Sequence, residues 1–297
     1  MDREVIINSG IIVKAVSGFY YVLKDGEVFE CSARGNFRHS KISPIVGDNV
    51  EFTVGPSGKG TVEKIMPRKN VLLRPAVANI DKLIIVSAFE SPAPDTNMID
   101  RLTAIAVYKK IKPIIVFNKS DTGDLSRFES IYKNAGFNTY TVSANIPDSM
   151  NSLKKEFKDC ICAMTGNTGV GKSSILNAIF KDLNLKTGEI SLSLGRGKHT
   201  TRHTQLIFHS LNGFVADTPG FSSITQTEDK YDFKQNLQYC FEDFKPYIND
   251  CKFSSCNHIN EKGCGVINAV MSGKIEKTRH DSYVSLFNEL KSVNKWD

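Results

Sequence analysis

Residues 160–180 read CICAMTGNTGVGKSSILNAIF. An apolar run stops at a segment holding three glycines, and KSSILNAIF then takes up helical spacing. A strand that feeds a helix through glycines belongs to a sheet built of strand–helix units. The segment GNTGVGKS (166–173) fits GxxxxGK[ST] in the strand-to-helix context that this pattern needs. Gly166, Gly169 and Gly171 let backbone N–H groups close around phosphate oxygens, with Asn167, Thr168, Val170 and Ser174 completing the loop. Lys172 adds a cation near the β- and γ-phosphates, and Ser173 offers a hydroxyl to Mg²⁺. Such a loop does not by itself tell adenine from guanine.

Working outward, DKLIIVSAF (81–89), PIIVFNKSD (113–121), TYTVSA (139–144), TQLIFHS (204–210) and GFVADTPG (213–220) each contain an apolar strand, with helix-like stretches such as MIDRLTAIAVYKKI (98–111) between. This alternation predicts a mostly parallel sheet covered on both faces, with its ligand beyond the carboxyl ends of the strands. NKSD (118–121) falls on one such end. An ionised Asp121 accepts at two oxygens, which suits the ring N–H and exocyclic amine of guanine and leaves adenine unmatched. Asn118 bonds the base or ties neighbouring loops, the Lys119 stem lies across the base, and Ser120 completes the turn. Ser143-Ala144 supplies a backbone donor to the guanine oxygen. In DTPG (217–220), Asp217 holds the Mg²⁺ hydration shell and the Gly220 N–H meets the γ-phosphate. GRGKHTTRH (195–203) reads as a segment ordered by the γ-phosphate, with Thr201, or else Thr200, as a further Mg²⁺ ligand. Phe221 follows DTPG and cannot orient water, so His199 is the nearest candidate for that role. The base reader precedes the phosphate reader, an inverted order.

The flanks have other textures. Residues 1–70 alternate short β-type runs (EVIIN, GIIVKAV, FYYVL, GEVFEC, GDNVEFTV, GTVEKIM) with turns, which predicts a small OB-type barrel. Its loop ARGNFRHSK (33–41) interleaves Arg34, Phe37, Arg38 and Lys41 in a manner suited to stacking on bases and meeting phosphates. Residues 71–225 form the nucleotide-binding domain, and residues 226–297 a mainly helical one around CKFSSCNHINEKGC (251–264). Cys251, Cys256, His258 and Cys264 provide three thiolates and one imidazole for a closed structural Zn²⁺. Tyr283, Leu286, Phe287, Leu290 and Val293 recur at helix spacing as core positions, and Cys31, Cys160, Cys162 and Cys240 read as packing. Net charge is +2 over 1–70, +5 over 71–225 and −1 over 226–297, so an RNA partner is allowed without being demanded. No apolar run is long enough to span a bilayer, and MDREVIINSG lacks the apolar core of a secretory signal; a cytoplasmic monomer with no membrane partner is expected.

The succession NKSD, SA, GNTGVGKSS, GRGKHTTRH, DTPGF and the Cys/Cys/His/Cys cluster, with RGNFR and PIVGD in the barrel, resembles the circularly permuted ribosome small-subunit-dependent GTPase A family along nearly the whole chain. That resemblance implies an OB domain, a permuted GTPase core and a zinc domain. It further implies hydrolysis of GTP to GDP with Mg²⁺, stimulated by the small ribosomal subunit and its rRNA, during late subunit maturation. The family is similar in placing a histidine in the segment that holds His199. Where the family commonly has Phe-Pro-Glu and Arg-Tyr, this chain reads CFEDF (240–244) and Arg279-His280, changes that bear on zinc-domain docking rather than on nucleotide or metal groups. Placing DTPG just before the zinc domain suggests that nucleotide state is coupled to domain placement. A rival reading is a nucleotide-gated rRNA-binding placeholder whose hydrolysis is incidental; a P-loop ATPase or kinase is disfavoured by Asp121.

Overall fold

The computed structural model describes residues 6–38, 42–73, 75–89, 93–180, 204–217 and 230–293. Five strands, β1 (Ile7–Val16), β2 (Phe19–Lys24), β3 (Glu27–Ala33), β4 (Asn49–Val54) and β5 (Gly60–Ile65), run in the order β1-β2-β3-β5-β4, and β1 also pairs with β4 to close the barrel. The Ser-Gly at 9–10, read from sequence as a break between two strands, lies inside continuous β1. Residues 7–11 pair with β4 and residues 11–16 with β2, so β1 turns the barrel's corner. Gly10 sits at that corner, where a Cβ would lie 2.6 Å from Val22 Cγ1 and 2.7 Å from the Leu23 carbonyl oxygen. A glycine here marks close approach rather than a turn. Ile12, Val22, Cys31, Val50, Phe52 and Val62 fill the interior.

The PIVGD segment ties the barrel to the chain that leaves it. Arg68 donates to both oxygens of buried Asp48 at 2.6 and 2.8 Å, and the Ile45 N–H donates to Asp48 Oδ2 at 2.8 Å. A short hairpin, β6 (Val71–Leu73) and β7 (Ala76–Ala78), then leads into the central domain, with Val77 bridged to Val46.

The central sheet contains β8 (Lys82–Ala88), β9 (Lys112–Asn118), β10 (Asn138–Thr141), β11 (Ile161–Thr165), β12 (Gln205–His209) and β13 (Gly213–Asp217), in the order β10-β9-β8-β11-β13-β12. All neighbours are parallel except β12–β13, as the near-continuous apolar strands predict. Helices α1 (Thr96–Tyr108) and α2 (Ser126–Asn134) bury their apolar residues in one core, and α3 (Met150–Lys154) and α4 (Lys172–Ile179) in another. The barrel's β1 meets the sheet through Lys14 and Gln205 of β12.

The C-terminal region holds α5 (Lys230–Asn236), α6 (Gly265–Met271), α7 (Lys277–Glu289) and two 3₁₀ stretches, Leu237–Cys240 and Glu242–Asp250. Tyr283, Leu286 and Leu290 are buried as their spacing predicts. Helix α7 packs on α1 of the central domain through charge. Arg279 donates to Asp100 Oδ1 at 2.7 Å and to both oxygens of Asp243 at 2.6 and 3.1 Å, and Asp100 and Arg279 are 1% exposed. The guanidinium lies 4.8 Å from the Phe241 ring centroid and 5.3 Å from that of Phe137. Burial opposes its charge, but Asp100 and Asp243 more than offset this and hold Arg279 above its ordinary value. Asp243 lies in the CFEDF run, so one of the residues read as a departure builds the seam together with Arg279. The other departure, His280, lies beside the metal-ligand loop without touching a ligand atom: its Nε2 meets the His258 backbone carbonyl oxygen at 2.7 Å. Among the described residues no helix is long and apolar enough to cross a membrane.

Candidate nucleotide site and cysteine cluster

The carboxyl ends of β8, β9, β10, β11 and β13 share one edge of the sheet, where Ala88 pairs with Asn118, Phe117 with Thr141 and Thr165 with Ile85. The loop after β11 turns through left-handed glycines, with φ of 134° at Gly166, 86° at Gly169 and 92° at Gly171. A Cβ on Gly171 would collide with Asn118 Nδ2, and one on Gly166 with the Val86 carbonyl oxygen. Gly171 caps α4, whose first residues are Lys172, Ser173 and Ser174, so their N–H groups and the helix dipole face whatever the loop holds. Lys172 Nζ donates to the Gly166 and Asn167 carbonyl oxygens at 2.7 and 2.8 Å, closing the loop on itself, and burial pulls its ammonium below the ordinary value. That arrangement leaves the ammonium primed to exchange two neutral acceptors for phosphate oxygens.

Asn118, at the end of β9, donates from Nδ2 to the Val170 carbonyl oxygen at 2.8 Å. This bond joins NKSD to the phosphate loop across 52 residues of sequence. Asn118 is 2% exposed, and no described residue gives its Oδ1 a hydrogen bond. A buried acceptor of that kind marks a place for a ligand donor. Lys119 adopts φ 61°, and the Ser120 N–H donates to the Val142 carbonyl oxygen at 3.1 Å, which brings the turn beside β10. Asp121 is exposed; its Oδ1 accepts from Ser143 Oγ at 2.6 Å and its Oδ2 from Asn145 Nδ2 at 2.9 Å. Those bonds, Ser143 first, hold the carboxyl below its ordinary value and keep it an acceptor. Ala144 follows Ser143 on the same loop and is half-buried.

Ser173 and Asp217 are buried at 7% and 3% exposure, and Gln205 Nε2 donates to Asp217 Oδ2 at 3.4 Å. A hydroxyl at the head of a helix and a carboxylate at a strand end are hard oxygen donors of the kind Mg²⁺ takes. His199, Thr200, Thr201, Gly220 and Phe221 lie outside the described residues, as does Lys41.

The second cluster is self-contained. One ligand atom from each of Cys251, Cys256, His258 and Cys264 lies within 4.8 Å of the others. Cys251 Sγ is 3.4 Å from His258 Nδ1 and 3.8 Å from Cys264 Sγ, and His258 Nδ1 is 3.3 Å from Cys264 Sγ. A tetrahedral zinc site with ordinary bond lengths has edges of roughly 3.5–3.8 Å, so the donor set fits. Gln238 Oε1 accepts from His258 Nε2 at 2.6 Å, which turns the Nδ1 lone pair toward the thiols. N–H groups of Gly265 and Ile267 donate to Cys251 and Cys264 sulfur at 3.3 and 3.4 Å. Burial pushes the Cys256 thiol up to about 12 and pulls His258 below its ordinary value, so a cation is what would deprotonate the sulfurs.

On the barrel, Arg34 Nη1 donates to Glu63 Oε2 at 2.8 Å, and half-buried Phe37 packs against the barrel core rather than standing clear of it. Arg38 ends a 3₁₀ turn, Gly35–Arg38. Sequence reasoning missed Asn145, Gln238 and Asp100. No motif flags them; Asn145 was detectable only as a short amide placed directly after Ser-Ala.

The RsgA GTPase family matches residues 65–227, and the RsgA N-terminal domain matches residues 9–62. Proteins named small ribosomal subunit biogenesis GTPase RsgA are similar over nearly the full length. That of Geobacillus kaustophilus is 41% identical over 288 residues, covering 95% of this chain and 97% of its own. RsgA 1 of Listeria monocytogenes is 43% identical over 293 residues, covering 95% of this chain and 97% of its own. The crystal structure of YjeQ from Thermotoga maritima is similar at a TM-score of 0.82 and 32% identity, covering 97% of this chain and 100% of that one. The crystal structure of YloQ, a circularly permuted GTPase, is similar at 0.79 and 34%, covering 98% and 97%.

Proposed function

Since this chain belongs to the RsgA GTPase family, we propose that it hydrolyses GTP to GDP on the small ribosomal subunit, in a subunit-stimulated manner, during late maturation. The observation that carries the guanine-nucleotide reading is the 2.8 Å bond from Asn118 Nδ2 to the Val170 carbonyl oxygen. It supports reading as one site the NKSD turn and the phosphate loop, which the sequence presents in inverted order.

In this reading Asp121, Asn118, Lys119, Ser120 and the Ser143-Ala144 loop hold the base. Residues 166–174 and Gly220 hold the phosphates, and Lys172 neutralises charge that develops on them. Ser173, Asp217 and Thr201 or Thr200 hold Mg²⁺, which when bound neutralises charge on the β- and γ-phosphates. His199 orients the attacking water. Cys251, Cys256, His258 and Cys264 hold one structural Zn²⁺ with no position left for catalysis. Arg34, Phe37, Arg38 and Lys41 face rRNA from the barrel. The domain limits fall near residues 70 and 225, and the protein acts as a cytoplasmic monomer.

A chain whose switch histidine and water are ordered by its partner is slow alone and fast on the partner. The test is steady-state GTP turnover with and without purified small subunits. A rise of roughly a hundredfold or more is expected, the range that a positioned catalytic group supplies. Turnover that ignores the subunit refutes the partner-dependent reading, and a Lys172→Ala variant that still supports subunit maturation favours the placeholder instead.

A further inference from the structure

The guanine-reading loop contains a second amide that the proposed GTP contacts do not use. Asn145 Nδ2 donates to Asp121 Oδ2 at 2.9 Å, while Ser143 Oγ donates to Asp121 Oδ1 at 2.6 Å. The two anchors are themselves connected, because the Asn145 N–H donates to Ser143 Oγ at 3.1 Å. Ser143 is pinned in turn by Ser149: its N–H donates to Ser149 Oγ at 3.0 Å, and that hydroxyl lies 2.9 Å from the Ser143 carbonyl oxygen. Asp121 therefore has one side-chain donor on each carboxylate oxygen, both delivered by one self-bonded loop.

We propose that Asn145 is a positioning residue that fixes the plane of the Asp121 carboxylate for two-point recognition of guanine. The inference rests on the proposed role of Asp121 as the guanine reader. A carboxylate oxygen has two acceptor positions. Ser143 takes one on the first oxygen and Asn145 one on the second, so these two anchors leave acceptor capacity on the carboxylate. The terminal torsion of an aspartate is broad and two-fold, so a carboxylate with a single anchor swings about it. Guanine offers two donors, N1–H and the exocyclic amine, and gains fully only from a carboxylate whose plane is already set. Hypoxanthine offers N1–H alone, and one oxygen of a swinging carboxylate can still accept it. Adenine offers neither. Asn145 thus acts through Asp121 on the difference between guanine and hypoxanthine, more than on affinity for purine nucleotides at large. Both residues are exposed, so their substitution leaves the core untouched.

The experiment is equilibrium titration of the full chain with GDP, IDP and ADP, for the wild type, Asn145→Ala and Asn145→Gln. Losing one charge-assisted bond should weaken GDP binding about fivefold and IDP binding less than about twofold, so the GDP:IDP preference shrinks about threefold. Asn145→Gln keeps an amide donor and should recover part of that preference. Equal losses for GDP and IDP indicate a loop-folding role only and overturn the proposal, as does an Asn145→Ala variant indistinguishable from wild type. A wild type that binds GDP, IDP and ADP alike overturns the guanine reading itself, a result distinct from either.

Discussion

Replacing Arg279 with methionine should loosen the cysteine-cluster module from the nucleotide-binding sheet. At 2.6–2.7 Å, each guanidinium–carboxylate contact is worth roughly 6 kcal/mol of gross attraction at an effective dielectric of about 20. Desolvating three ions costs several kcal/mol apiece, so the intact triad is close to neutral in net stability. Removing the cation alone strands two carboxylates, of which Asp100 is 1% and Asp243 6% exposed on their side chains. Asp100, the more deeply enclosed, can escape by taking up a proton, at about 4 kcal/mol at pH 7 for a group whose free pKa is near 3.9, which leaves one negative charge between the two. That escape caps the penalty near the 3–5 kcal/mol generally found for broken buried pairs. The expected deficit is thus about 3–5 kcal/mol, or roughly 6–20 °C in Tm for a domain of 150–250 residues. Burial already pushes the Asp100 carboxyl up against the pull of Arg279. In the variant the Asp100 carboxyl, no longer pulled down by Arg279, sits above its unfolded value, so the native state binds more protons. Stability is then present at low pH and lost as pH climbs through the folded value, so the deficit should narrow from pH 8 to 5, by at most about 1.4 kcal/mol per pH unit for the one carboxyl. Urea melts, with hydrogen exchange reading α1 and α7 separately, measure both quantities. A deficit below about 1 kcal/mol, or one that does not move with pH, refutes the reasoning. The triple variant Asp100→Asn, Asp243→Asn, Arg279→Met should recover most of the loss, because it removes the charges together.

Three further outcomes are expected. Metal analysis should return about one zinc per chain, lost on replacing Cys251 and Cys256 with serine, and Gln238→Ala should weaken zinc affinity about 10- to 100-fold in chelator competition without emptying the site under excess metal. Gly171→Ala should reduce GDP affinity at least tenfold in the same titrations, since it forces φ 92° on a side chain and drives a methyl into Asn118. Because bonds from Ser143 and then Asn145 hold Asp121 below its ordinary value, the GDP:IDP affinity ratio, in which the titration of the terminal phosphate cancels, should stay flat from pH 8 to pH 5; a ratio that falls in this range refutes the assignment.

Local pattern carried the central domain far. An apolar run ending in glycines, or in NKSD, is dictated by residues adjacent in sequence, and the sheet places those ends together as parallel strands must. Where pattern misled, a residue served a distant neighbour. Ser9-Gly10 has the composition of a turn, yet Gly10 is small because Val22 and the Leu23 carbonyl oxygen press on it from the next strand. Arg279 and Asp100 lie 179 residues apart, and no periodicity announces that a charged residue on an amphipathic helix will be fully enclosed. The cysteine cluster stands between these cases: its ligands are local and legible, whereas Gln238, which orients His258, is not.

The α1–α7 seam also bears on what the peptide link between β13 and α5 is needed for. Helix α1 begins beside the phosphate loop, where Asp95, Met98, Ile99 and Leu102 line the same small cavity as Gly166 and Val170, and it carries Asp100 and Arg101 to Arg279 and Glu289. Among the described residues, the C-terminal module is thereby fastened to the core by side chains. A chain nicked anywhere between β13 and α5 should stay in one piece in solution. Two separately expressed fragments, divided there, should associate, with Arg279 as the clasp.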